Sequence, residues 1–244
     1  MSDFDRNYAA ARGFGADRAV AIDQGLRAHM IRVYNYMASG VALTGVIAFF
    51  VGQYAASDPA FARALYQSPL TFVVFLAPLA IVFFVGFRIG QMQATTARLL
   101  FFVYAGLVGL MLSTIFLVYT QTSITRVFFI TAAAFGGLSL WGYTTQRNLD
   151  AMGSFLIMGL FGLIIASLVN IFLQSSGLYW VISVVGVLIF VGLTAYDTQS
   201  IKEMYDVNDD GTVSGRKAVM GALRLYLDFI NLFLMLLRLF GDRR

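Results

Sequence analysis

Long apolar runs separated by short polar segments recur along nearly the whole chain. A run of about 20 apolar residues is long enough to cross the hydrocarbon core of a bilayer as a helix. We predict seven such spans, at about 33–54, 70–89, 99–120, 127–143, 152–173, from about 178 onwards, and through the last apolar stretch to 240. The pattern therefore predicts an all-α, polytopic membrane protein that folds as a seven-transmembrane-helix bundle.

The last span differs from the others because its polar residues share one helical face. Arg224, Asp228, Asn231 and Arg238 lie at offsets of about 4, 7 and 14 residues from the first, a spacing that keeps them on one stripe. An ionisable side chain that faces lipid costs several kcal/mol. The stripe should therefore face protein or water, which predicts that the last helix lies at the centre of the bundle.

Composition agrees with this pattern. Of the 244 residues, 59% are hydrophobic and 12% are charged, and the mean hydropathy is +0.77. A soluble domain carries about twice this charged fraction. We therefore divide the chain into a cytosolic N-terminal tail at 1–32, partly disordered, a transmembrane domain at 33–240 and a C-terminal tail at 241–244.

The net charge of +4 is mild and reports topology more than a nucleic-acid partner. With seven spans, most lysines and arginines fall on the side that holds the N-terminal tail and the loop before the last span. The positive-inside rule places that side in the cytosol and the C-terminus outside. We therefore expect a multi-pass protein of the cell membrane, the inner membrane of a bacterium.

Two acids stand in otherwise apolar surroundings. Asp197 occurs in Tyr196-Asp197-Thr198-Gln199 near the end of the sixth span, and Asp228 lies on the polar stripe of the seventh. If the sixth helix continues to about Tyr205 and the seventh starts near Val219, both acids lie about eight or nine residues from the loop, at matching depth. Two carboxyl groups at close range in a low-dielectric setting share one proton and titrate in coupled steps.

Three interpretations of this acid pair compete. The first is a proton-sensitive cation path, in which deprotonation separates the helices and the carboxylate oxygens attract a hard cation such as Ca²⁺. In this case Asp197 and Asp228 are also the candidate Ca²⁺ ligands, and Arg88 or Arg224 neutralises the pair and acts as a latch.

The second interpretation is an intramembrane aspartyl protease, which places its catalytic acids on adjacent helices. Such an enzyme needs glycines before its second acid so that the substrate backbone can approach, whereas Leu225, Tyr226 and Leu227 stand there. The third is purely structural: Asp228 pairs with Arg224 one turn earlier, and threonine or glutamine side chains satisfy Asp197.

Two further features carry little weight as metal sites. His29 is the only histidine, and we expect it to be a polar residue of an interfacial helix before the first span. The segment from Asp206 to Gly211 matches the opening of an EF-hand loop, but Lys217 stands where a bidentate glutamate belongs. We interpret it as an acidic turn and expect no tightly bound cofactor.

The last two spans resemble those of the Bax inhibitor-1 family, the transmembrane Bax-inhibitor-motif proteins, on its bacterial side. The resemblance lies in Tyr196-Asp197-Thr198-Gln199, in the segment from Leu225 through Asp228 and Asn231 to Phe233, and in Arg32-Val33-Tyr34 before the first span. It implies a seven-helix fold with the last helix central and a pH-sensitive calcium leak, not an enzyme. It also implies a di-aspartyl sensor at Asp197 and Asp228 and a latch arginine at Arg88.

The same resemblance leaves an alternative function open. Some bacterial relatives act as modulators of a membrane-bound AAA protease, which makes such a protease a candidate partner. We thus expect the chain to interact with the lipid bilayer, Ca²⁺ and protons, with the protease as the alternative partner and with no nucleic acid. Tyr196, Gln199 and Asn231 are predicted as polar residues that support the acid pair.

Overall fold

A computed structural model describes the backbone of residues 3–244 and the side chains from residue 22 onwards. This part of the chain is all-α. Its helices are α1 (Asp3–Ser57), α2 (Pro59–Tyr66), α3 (Leu70–Arg88), α4 (Ala94–Leu112), α5 (Ile115–Val118), α6 (Gln121–Thr144), α7 (Asp150–Leu173), α8 (Ser176–Glu203) and α9 (Gly211–Phe240), with a 3₁₀ turn at Ile89–Gln91. The N-terminal tail predicted at 1–32 falls largely on residues whose side chains lie outside this description.

Within the described residues, seven segments are long and apolar enough to cross a membrane, which confirms the predicted number of spans. They are Ile22–Ser57, Leu70–Gln91, Ala94–Val118, Gln121–Thr144, Asp150–Leu173, Ser176–Glu203 and Gly211–Phe240. Successive spans run in opposite directions, so the bundle has two ends. We call the end with the α8–α9 connection (204–210) the loop side, and the end with residues 241–244 the tail side.

Helix α9 is the centre of the bundle. In its most apolar stretch, 72% of the residues are buried within the protein, against 6–44% in the corresponding stretches of the other spans. It packs against α8, α1, α6 and α4, and its residues belong to both apolar clusters of the core. The polar stripe and the family resemblance both predicted this central position, and the structure confirms it.

Glycines let α8 approach its neighbours closely. A Cβ atom on Gly142 of α6 would lie 2.3 Å from the backbone oxygen of Ala195, and one on Gly153 of α7 would lie 2.4 Å from the ring of Tyr196. Because transmembrane helices gain little from the hydrophobic effect in lipid, such close backbone approach is a principal source of their packing energy.

Three local features differ from the sequence predictions. The short helix α2 was not predicted; Asp58 caps it by accepting from the backbone N–H groups of Ala60 (2.8 Å) and Phe61 (3.2 Å), with Pro59 in its first turn. Helix α9 starts at Gly211, eight residues before the predicted Val219. The cause is Asp210, which caps the helix by accepting hydrogen bonds from the backbone N–H groups of Thr212 and Val213.

The third difference concerns His29. It was expected as a polar residue of an interfacial helix; it lies within α1 and is buried by the protein, only 3% exposed. Its ring lies 5.8 Å from that of Tyr205, centroid to centroid. His29 thus belongs to the contact between α1 and the α8–α9 connection.

The C-terminal tail is fixed to the segment that joins α5 to α6. The backbone N–H of Thr120 donates to the carbonyl oxygen of Asp242 at 3.0 Å, and that of Arg244 donates to the carbonyl of Val118 at 2.9 Å. Arg126 and Asp242 form an ion pair at 3.1 Å. The tail-side end of the central helix is therefore attached to its neighbours by main-chain hydrogen bonds.

Candidate functional site

Antiparallel packing of α8 on α9 brings the two acids together. The register is set near the loop side, where Gly221 lies against Ile201, and deeper, where Gly186 lies against Met235. Between these two contacts Asp197 and Asp228 face each other closely enough to interact, and both line the same cavity. The eight extra residues of α9 do not upset this pairing, because they extend beyond the end of α8 and Arg216 there donates to the carbonyl of Gly90.

The pair is buried, and its contact requires a proton. Asp228 is 4% exposed and the Asp197 side chain 16% exposed. Carboxylate oxygens only accept hydrogen bonds, so a bond between the two groups forms only when one of them is protonated. Among the described residues, Asp228 Oδ2 has no hydrogen-bond donor. The arrangement therefore suits one shared proton.

Arg224 is the cation of the site. Its Nη1 lies 3.9 Å from Asp197 Oδ1 and 3.4 Å from the hydroxyl of Ser200. The structural interpretation proposed an Arg224–Asp228 pair on one helix, whereas this ion pair joins α9 to α8. With one proton on the acids and one positive charge on Arg224, the three groups are neutral together.

A cavity of about 530 Å³ leads away from this triad. It runs between α7 and α9, over α8, and follows the polar stripe of α9 from Arg224 past Asn231 to Arg238. Those 14 residues of helix correspond to about 21 Å along the bundle axis. On the α7 side the lining is apolar except for Ser167. The acid pair thus adjoins a cavity that leads from it towards the tail side.

The three predicted supporting residues have different surroundings. Asn231 lines the cavity and donates to the carbonyl of Leu227 at 2.9 Å. Tyr196 instead packs its ring on Gly153 of α7. Gln199 holds the α6–α7 connection: its Oε1 accepts from the backbone N–H of Leu149 at 2.8 Å, and its Nε2 donates to the carbonyl of Arg147 at 2.9 Å. Only Asn231 therefore shares the cavity with the acids.

The structure does not bring Arg88 to the acid pair. Arg88 ends α3, is exposed, and donates to the side chain of Gln91 at 3.1 Å. Helix α3 packs mainly on α4. Of the two arginines predicted as a latch, Arg224 is the one in contact with the carboxyls.

Sequence reasoning missed a polar chain beside the site. The hydroxyl of Ser139 on α6 lies 2.5 Å from that of Tyr34 on α1 and 2.9 Å from that of Thr198 on α8. Thr198, the residue directly after Asp197, is therefore linked through Ser139 to both α6 and α1. Ser200, the Arg224 partner, was missed too. Its position three residues after Asp197, on the same helical face, is the signal that identifies it.

The acids of the α8–α9 connection each have a local partner. Asp206 Oδ1 accepts from the backbone and the side chain of Asn208, both at 2.9 Å, and these bonds hold the pKa of Asp206 below its ordinary value. Asp209 pairs with Lys217 at 2.5 Å, and Asp210 caps α9. In the described part of the chain, no three histidine, cysteine or acidic residues cluster as a metal site.

Comparison with known proteins identifies the family. The sequence profile described as "Inhibitor of apoptosis-promoting Bax1" matches residues 26–244. This chain belongs to the Bax inhibitor-1 family. Protein RP147 of Rickettsia prowazekii (strain Madrid E) is 50% identical to it over 224 residues, 91% of this chain and 92% of the relative. The inner membrane protein YbhL of Escherichia coli K12 is 44% identical over 232 residues, 94% of this chain and 97% of the relative.

A further relative, from Caulobacter vibrioides, is 44% identical over 251 aligned positions that cover both chains completely. The predicted family is thereby confirmed, and the chain is a multi-pass bacterial membrane protein. The alternative interaction with an AAA protease stays a prediction.

Proposed function

We propose that this Bax inhibitor-1 family protein is a pH-sensitive leak for Ca²⁺ in the bacterial inner membrane, gated by the proton that Asp197 and Asp228 share. One observation carries the proposal: the acids of two neighbouring spans, Asp197 and Asp228, line one cavity that follows about 21 Å of α9. Location in the inner membrane is supported by the name of the E. coli relative.

The closed state corresponds to one proton on the pair. The proton then bonds α8 to α9, and the remaining negative charge is balanced by Arg224 at 3.9 Å. Charges of a buried group must be compensated in this way, since an uncompensated charge at membrane depth costs several kcal/mol. In this state the contact between the two helices is stable and the path is shut.

Loss of the proton replaces a hydrogen bond with repulsion. Two carboxylates about 4 Å apart repel by about 4 kcal/mol at an effective dielectric constant of about 20. Arg224 offsets part of this energy, because it lies beside Asp197. The remainder favours separation of α8 from α9. The oxygens released by that separation suit Ca²⁺, which binds carboxylate and carbonyl oxygens in flexible geometry.

Ca²⁺ is the conducted ion in this mechanism, and it binds weakly and transiently. The triad supplies two carboxyl groups and one guanidinium, and tight Ca²⁺ sites need six to eight oxygen ligands. A weak site is what conduction requires, because an ion must leave as readily as it enters. Asn231 adds an amide oxygen farther along the cavity.

The test is Ca²⁺ flux against pH for purified protein in proteoliposomes. We expect the wild type to leak more as pH rises through the loss of the shared proton. The double variant Asp197→Asn with Asp228→Asn should lose this pH dependence. Flux in the double variant that follows pH as in the wild type would remove the acid pair as the sensor.

A further inference from the structure

A second cavity lies on the opposite side of α9 from the acid pair. It has a volume of about 670 Å³ and is a cleft between α1 and α6 with Phe229 of α9 at its floor. Its lining is apolar except for Arg27, Tyr34, Ser139 and Tyr143. The volume falls in the range of about 300–1,000 Å³ that is typical of small-molecule sites. The proposed function makes no use of this cleft.

The cleft opens sideways, towards the surroundings of the bundle. Helices α1 and α6 both pack on α9 but scarcely on each other. Their facing side chains are exposed, for example Ile31 at 49% on one wall and Leu140 at 64% on the other. Since both helices are membrane spans, the medium at this opening is the hydrocarbon of the bilayer. The occupant must therefore be apolar over most of its length.

The dimensions fit one acyl chain of a single leaflet. Along α1 the lining runs from Arg27 to Ala42, which is 15 residues or about 22 Å of helix. One leaflet provides about 15 Å of hydrocarbon, half of the usual core thickness, and the rest reaches the headgroup region. A smaller cavity of about 220 Å³ continues from the same Val41, Phe128 and Phe229 towards the tail side.

Two cationic side chains lie at the loop-side mouth. Arg27 lines the mouth on α1. Opposite, Tyr143 on α6 carries the ammonium group of Lys202, which donates to its carbonyl at 3.0 Å and lies 5.2 Å from its ring centroid. An acyl chain gains little by moving from bilayer to protein, because lipid tails are as apolar as the cleft. Selection among lipids must therefore come from these charges.

We propose that the α1–α6 cleft binds an anionic phospholipid of the loop-side leaflet, with one acyl chain on Phe229 and the headgroup phosphate between Arg27 and Lys202. Each cation near an anionic headgroup favours binding by roughly fivefold, so the two together give a preference of about 25-fold over a zwitterionic lipid.

Two neighbouring glycines of α6 provide a matched test. Gly136 lines the cleft and Gly137 does not, and a Cβ on either would meet nothing within 4 Å. Gly136→Leu should fill the cleft without a collision, whereas Gly137→Leu adds the same side chain to the same helix outside it. Ala38→Leu, on the opposite wall, repeats the obstruction if Gly136→Leu fails to fold.

The readout is native mass spectrometry of protein extracted from vesicles of equal phosphatidylglycerol and phosphatidylcholine. We expect the wild type and Gly137→Leu to retain one phosphatidylglycerol with about 25-fold preference, and the cleft-filling variants to lose it. Arg27→Gln and Lys202→Gln should each lower the preference about fivefold, whereas Arg98→Gln, an exposed cation of α4 away from the cleft, should not.

Three results would overturn the assignment. Equal retention of both lipids would remove the role of the charges, and unchanged retention in Gly136→Leu and Ala38→Leu would place the lipid elsewhere. A dimeric mass without lipid would give the cleft to a second copy of the chain. Because the readout is bound lipid, each result is independent of whether the protein conducts Ca²⁺.

Discussion

The single substitution Asp228→Asn separates the charge of the acid pair from its hydrogen bond. An asparagine amide can still donate to the Asp197 carboxylate, and the ion pair of Asp197 with Arg224 at 3.9 Å is retained. The variant therefore imitates the protonated pair at every pH. In the wild type, deprotonation adds a repulsion of about 4 kcal/mol. If Arg224 offsets about half, the remaining 2 kcal/mol shifts the closed–open equilibrium roughly 30-fold.

The assay is Ca²⁺ entry into proteoliposomes that contain a fluorescent indicator, with the membrane potential held constant, between about pH 5 and pH 9. We expect wild-type flux to rise by up to about 30-fold across the transition and Asp228→Asn to stay at the low level. The matched control is Glu203→Gln, which removes an exposed acid from the same helix α8 and should titrate like the wild type. A wild-type pH profile in Asp228→Asn would refute the reasoning.

Three further predictions concern the arginines and the packing of the bundle. Arg224→Gln should raise the Ca²⁺ leak at the pH where the wild type is closed, because it leaves the Asp197 charge without its neighbouring cation. Arg88→Ala should leave the leak unchanged. A higher leak in Arg88→Ala than in Arg224→Gln, in the same flux assay, would restore Arg88 as the latch. Tyr226→Phe should lower the free energy of unfolding by about 1–2 kcal/mol, measured by thermal or denaturant titration in detergent, because the buried Tyr226 hydroxyl lies 2.6 Å from that of Thr44. An unchanged stability would show that the carbonyl of Ala105 alone satisfies Thr44. Gly142→Ala should destabilise the protein, since its Cβ would lie 2.3 Å from the Ala195 oxygen, while Gly137→Ala on the same helix should be neutral or stabilising; equal melting temperatures for the two variants would contradict the close α6–α8 contact.

The membrane fold was predictable because the bilayer limits the choices so strongly. Only helices satisfy their own backbone groups in lipid, so each long apolar run had one solution. The central position of α9 followed from its stripe of Arg224, Asp228 and Asn231, because no other orientation keeps these groups out of lipid. Helix ends were less predictable: Asp58 and Asp210 set the starts of α2 and α9 through capping bonds that periodicity does not show.

The site was predictable in its acids and less so in its partners. Matching depths on consecutive antiparallel helices were enough to expect Asp197 and Asp228 to meet. The choice between Arg88 and Arg224 depended on which helix packs beside α8, and one sequence does not contain that information. Tyr196 and Gln199 occupy the same motif as Asp197, but successive residues of a helix point about 100° apart. They therefore contact α7 and the α6–α7 connection, away from the acids.

The main-chain bonds between residues 242–244 and the segment that joins α5 to α6 limit how the central helix can move. A helix fastened at one end cannot slide along its axis without breaking that attachment, whereas it can tilt about the fastened point. Displacement is then smallest beside Phe240 and grows towards Gly211, so the acid pair, about midway, moves only a fraction of the distance covered at the loop side. Spin labels at the two ends of α9 would consequently report very different amplitudes of motion. A domain fused to Arg244 would lie at the fixed end, about which α9 tilts.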